Sequence, residues 1–103
     1  MARPLLADYE IYLPLRYNNG RKISQAKFDT TFREIIGRYG GYTLKKNIQG
    51  QVTYSRKETM HLMSVHTYDS PANDRWFRRY KVVLKQRFKQ REIYITKKRL
   101  TLL

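Results

Sequence analysis

Tyr9-Glu10-Ile11-Tyr12-Leu13-Pro14-Leu15-Arg16-Tyr17 holds the first key to the fold. Tyr9, Ile11, Leu13, Leu15 and Tyr17 alternate with Glu10, Tyr12, Pro14 and Arg16, the period of two expected of a strand with one buried face. Pro14 has no N–H to give to a ladder, so pairing there should stop on one side or bulge. Asn18-Asn19-Gly20 supplies the turn that follows.

Downstream the period changes. Ser24 has the character of a helix N-cap, with Ile23 before it and Phe28 in the first turn spaced as a hydrophobic staple. Phe28, Phe32, Ile35, Ile36 and Tyr39 then recur on one helical face, and Gly40-Gly41 ends the run as a left-handed cap. Tyr42 to Tyr54 is extended in character, interrupted by Gly50, which marks either a bulge or a hairpin turn. Ser55 to Thr59 is polar and turn-like, and Met60 to Tyr68 alternates as a further strand. Ser70 and Pro71 open a second helix as N-cap and first residue, and Asp74 suits the positive end of its dipole. That helix should run to about Gln90, burying Trp76, Phe77, Tyr80, Val83, Leu84 and Phe88. Glu92 to Leu102 reads as the last strand.

The order is strand, helix, strand, strand, helix, strand. This predicts an α+β fold, the ferredoxin-like βαββαβ plan, with an antiparallel sheet and two helices on one face. The other face should stand open to water, a ligand or a second copy. The 103 residues suit a single domain, 1–103, with 1–8 and 100–103 as its flexible margins. The segments Tyr9–Leu15, Gly20-Arg21-Lys22-Ile23, Gly40-Gly41 and Gln86-Arg87-Phe88-Lys89-Gln90 resemble landmarks of a family of small bacterial proteins with a ferredoxin-like plan, to which no activity is assigned. The resemblance implies a fold and a bacterial type of protein, and carries no functional residues.

Charge is the strongest functional signal. Twenty-two Lys and Arg stand against eight Asp and Glu, a net charge of +14. Residues 75–103 hold eleven of the bases and one acid, Glu92; residues 16–46 hold eight bases and two acids. Self-repulsion at this density calls for an acidic partner, and nucleic acid is the commonest. An acidic protein or an anionic surface satisfies the same electrostatics. Arg75, Arg78, Arg79, Lys81, Lys85 and Lys89 on the second helix, with Lys97, Lys98 and Arg99 after it, are the candidate phosphate contacts. Tyr12 and Tyr94, on the expected open sheet face, are candidate platforms for bases. They serve equally as cover for a homodimer through that face, and the aromatic signature of RNA-recognition domains is absent.

Other chemistries find less support. His61 and His66 lie five apart on one strand and should face opposite ways, which argues against joint metal binding. His66, near Tyr68 on the same face, is a candidate general base or acid for metal-independent RNA cleavage, given a neighbouring cation. An ordinary structural histidine fits the same position. Asp8 and Glu10 stand near the start of the first strand, but the eight acids are too dispersed for a two-metal cluster. With no cysteine, no phosphate-binding loop and no nucleophile elbow, neither a metal nor a cofactor is expected. No apolar run reaches the ~20 residues of a membrane span, and the apolar start of the chain stops at Asp8, too short for a signal core. The chain reads as cytoplasmic. The expected function is backbone binding of RNA or DNA within a larger assembly. The alternatives are the His66 ribonuclease and a structural protein docked on an acidic partner.

Overall fold

The computed structural model describes residues 5–53 and 56–103; Met1–Pro4, Tyr54 at the end of the expected extended segment and Ser55 at the start of the expected turn lie outside it. Six elements follow in the order β1 (Leu6–Pro14), α1 (Gln25–Tyr39), β2 (Thr43–Thr53), β3 (Arg56–Tyr68), α2 (Pro71–Arg87) and β4 (Ile95–Leu100). The strands form one antiparallel sheet in the order β2-β3-β1-β4. This is an α+β fold compatible with the ferredoxin-like plan, with β1 central and β4 on an edge.

Strand alternation decides which side meets the helices. Ala7, Tyr9, Ile11 and Leu13 are buried, and their cross-strand partners include Val65 and Met63 of β3. Tyr9 stacks on Phe77 of α2 at 4.2 Å between ring centres, and Phe28 of α1 lies 5.4 Å from the ring of His61, the partner of Leu13. Both helices therefore pack on the odd-numbered face of β1. They also meet each other: Tyr39 stacks on Phe77 and Phe28 packs on Phe88, each at 5.2 Å. The core is accordingly aromatic, where large rings bury much area and gain from tilted and offset contacts.

The helix ends follow their caps. Ser70 Oγ accepts the Asn73 N–H at 3.1 Å, with Pro71 at the first helical position. Ser24 caps α1 by backbone geometry alone, with no side-chain bond, and Gly40 ends α1 at φ 83°, where a side chain would be strained.

Several boundaries and faces differ from the sequence expectation. β1 starts at Leu6, so Leu6–Asp8, expected as a margin, are paired on both sides, with β3 and β4. β3 starts at Arg56, in place of a turn up to Thr59. Gly50 is neither hairpin turn nor the main bulge: it sits in the ladder opposite Glu58, and the register slips between Lys45 and Ile48, where Asn47 adopts φ 56°. Asn tolerates this left-handed conformation better than most residues. On the helices, Ile36 and Val83 are exposed. Thr31 takes a core position instead, its hydroxyl satisfied by donating to Lys27 C=O and accepting from Arg87. Among the described residues no helix is long and apolar enough to cross a membrane.

Candidate nucleic-acid interface

α2 buries Phe77, Tyr80 and Leu84. The helical repeat then turns Arg75, Arg78 and Arg79 outward, where all three are exposed. None of them forms an ion pair among the described residues, and neither do Lys85 and Lys89. Lys85, in the last turn, is half-buried. Lys89 does not extend the helical row as expected. α2 stops at Arg87, Phe88 is its C-cap, and Lys89 is left-handed at φ 51°. Its Nζ lies 5.6 Å from the centre of the Tyr17 ring, which Lys27 Nζ also approaches at 4.9 Å. Lys27 in turn donates to the Arg87 C=O at 2.8 Å, at the negative end of α2. Cations from the two positive segments of the sequence are thus gathered at one end of the helix pair, around Tyr17, a residue the sequence reading did not single out.

The cations of β4 are in a different state. Lys97 Nζ is 2.9 Å from Asp69 Oδ1 and 3.1 Å from Asp74 Oδ2, and Arg99 Nε is 3.2 Å from Asp69 Oδ2. Lys98 Nζ lies 3.2 Å from Glu10 Oε1 on the opposite face. These contacts act on both partners. Lys97 holds the Asp69 carboxyl below its usual range, with Arg99 assisting. Tyr9, donating at 2.5 Å, does the same for Asp74 with Lys97 behind it. Glu10 raises Lys98. Lys81 of α2 is likewise held, 2.9 Å from Glu92 Oε1. Of the nine predicted phosphate contacts, Lys81, Lys97, Lys98 and Arg99 are therefore partly neutralised by carboxylates, while Arg75, Arg78, Arg79, Lys85 and Lys89 form no ion pair among the described residues, Arg78 and Lys85 acting on Asp74 and Glu92 only at longer range. Contacts between exposed charges are worth little in stability, so their main effect is to fix where the cations point.

Between α2 and β4 lies a groove of about 280 Å³, floored by Tyr9, Phe77 and Ile95. Arg78, Lys81, Lys97 and Thr96 line it, with Asp74. Three cations converge there beside an edge strand whose outer side has no neighbouring strand among the described residues. The sequence contained these residues, but the groove arises only from the docking of β4 alongside β1.

The helix-free face of the sheet carries Tyr12 and Tyr94 as expected. Tyr12 N–H donates to the Tyr94 C=O at 3.0 Å, so the two stand opposite each other on neighbouring strands. Tyr94 is 47 % exposed and Tyr12 half-buried. The same face holds Asp8 and Glu10, and Asp8 is only 5 % exposed. Its Oδ1 has no hydrogen-bond partner, and Oδ2 lies 3.7 Å from His66 Nε2. Burial, then Glu10, pushes the Asp8 carboxyl above its usual value, and His66 and Lys98 only partly offset this. The alternation of Asp8 and Glu10 on one strand face was the signal for this group, although the sequence suggested them only as metal ligands.

The two histidines separate as their spacing predicts. His61 faces the helices, accepting at Nδ1 from the Asn47 N–H at 3.2 Å, while His66 faces away from them beside Asp8. Tyr68 is exposed on the His66 side, two residues along. A notch of about 260 Å³ adjoins His66, bounded by Ser64, Tyr39, Gly41, Tyr42 and Thr43. None of its lining residues is Lys or Arg. Cleavage of a phosphodiester by general acid–base chemistry requires a cation at the phosphate, and no lining residue provides one at His66. No group of three or more acid and histidine side chains suited to a metal occurs among the described residues. Comparison with protein families, with curated proteins and with solved structures gives no match.

Proposed function

We propose that this chain is a nucleic-acid-binding module on a ferredoxin-like scaffold. It grips the phosphate backbone through the outer side of α2 and acts in the cytoplasm, alone or within a larger assembly. The observation that carries the reading is the row Arg75, Arg78 and Arg79, exposed and without carboxylate partners among the described residues, next to a groove lined by further cations. Lys and Arg displace condensed counterions when they meet phosphates, which gives affinity independent of sequence and steeply dependent on salt. Lys85 and Lys89 bring the uncompensated set to five.

If all five meet single-strand phosphates, log K falls against log salt with a slope of about −3.5, roughly a hundredfold loss between about 50 and 200 mM. Fluorescence anisotropy of a labelled oligonucleotide over that range tests this. Affinity that stays flat with salt, or a triple variant Arg75→Gln, Arg78→Gln, Arg79→Gln that binds as the parent does, would refute the proposal. Tight salt-independent capture of an acidic protein would favour the docking alternative instead.

A further inference from the structure

Resting on that reading, we infer that the nucleic acid is single-stranded and wraps the β4 edge, with a phosphate in the α2–β4 groove and a base against Tyr94 and Tyr12. Three observations lead there. The groove, at about 280 Å³, has room for one phosphate and its sugar. Its anion-binding groups have different origins: Arg78 has no carboxylate partner among the described residues, while Lys81 and Lys97 are aimed by Glu92 and by the Asp69–Asp74 pair.

The second observation is the edge itself. Among the described residues β4 is paired on one side only, by β1, so a chain meets none of the other strands as it passes from the helix side to the open side. Tyr94 directly precedes Ile95, whose side chain floors the groove, so the two faces are one residue apart along the strand. The third is the aromatic pair. Tyr94 is 47 % exposed beside Tyr12, on the far side of the strand from the groove. Exposed rings of this kind can stack on a base only when that base is not already stacked within a duplex. Glu10, the carboxylate beside this pair on β1, is engaged by Lys98, which lessens its repulsion of a phosphate.

The test compares oligo-dT, oligo-U and a mixed-sequence duplex of equal length by anisotropy, against the parent chain, Tyr94→Ala and Tyr94→Phe. Tyr94 is exposed, so neither variant opens the core. The single strands should bind more tightly than the duplex. Tyr94→Ala should weaken them about five- to hundredfold, as loss of one stacking ring does, without altering the salt slope, and Tyr94→Phe should retain parental affinity. A duplex bound as tightly as the single strands, or Tyr94→Ala indistinguishable from the parent, overturns the inference while leaving salt-dependent backbone binding standing. Absence of salt-dependent binding in every arm removes the module reading as well.

Discussion

Asp8→Asn should make this protein more stable at neutral pH. Asp8 is a carboxylate on the helix-free side of the sheet, 5 % exposed, with one oxygen lacking any partner. A buried polar group left unsatisfied costs about 1–3 kcal/mol. Against that stand attractions to His66 and Lys98 and a hydrogen bond with the Ser64 side chain, but burial and the neighbouring Glu10 outweigh them, which is why the carboxyl is raised. The amide keeps the shape and removes the charge, and the net gain should be about 1 kcal/mol, a rise in melting temperature of about 4–8 °C for a domain of this size.

The pH dependence gives the sharper check. A carboxyl whose folded pKa is raised favours folding most when protonated. Its stabilising contribution is complete below the ordinary value of 3.8 and is lost as pH rises through the folded value. Asp69, Asp74 and Glu34 are lowered and behave oppositely, each contributing above the ordinary carboxyl range and losing that contribution on acidification. The difference between variant and parent cancels those groups. It should be present at about pH 7 and should close as the buffer is acidified toward the ordinary Asp value. Thermal unfolding followed by circular dichroism across this range measures it. Equal melting temperatures at neutral pH, or a gap that widens in acid, would refute the account of Asp8 as a strained, ionised group.

Asp69→Asn should strengthen polyanion binding: it releases Arg99 and loosens Lys97, so up to two more cations become available and the salt slope on a single strand should steepen by up to about 1.4, read by the same anisotropy titration. Ser70→Ala removes the acceptor for the Asn73 N–H and should cost about 1 kcal/mol, visible as a lower urea midpoint with an unchanged slope of free energy on denaturant.

What the sequence disclosed divides by range of interaction. Local signals were accurate: the alternation from Tyr9 to Leu13, the Ser70-Pro71 start of α2, the Gly40 stop of α1 and the opposed histidines all appear in the structure. Element ends were less so, because ladder partners, rather than residues in place, decide them. Leu6–Asp8 read as a margin until β3 and β4 flank them, and Lys89 read as helical until the Phe88 cap intervenes. The helical stripes erred at Ile36 and Val83 for a related reason. Each lies at the margin of a periodic face, and whether a marginal position is covered depends on the angle at which α1 and α2 meet. Thr31 fills the core place because Arg87 arrives from α2 to bond its hydroxyl.

The candidate interface was legible only as an excess of charge, and charge counted along the chain cannot separate cations that are held from cations that are free. The partners of Lys97 and Arg99 lie 28 and 30 residues away in Asp69, and that of Arg87 lies in α1. Glu10, Glu34, Asp69, Asp74 and Glu92 each fasten a base between Lys81 and Arg99. The acids thus pair with β4 and with the C-terminal half of α2, and among the described residues Arg75, Arg78 and Arg79 of the N-terminal half form no ion pair, with Asp74 acting on Arg78 only at longer range. That division is hard to explain by solubility alone, since solubility is served equally by any arrangement of the same net charge. It has a cost in self-repulsion, concentrated where a phosphate chain would relieve it. An evenly solubilising surface would lose little salt sensitivity when those three arginines are neutralised, whereas a phosphate-gripping one should lose about 2 units of slope on a single strand.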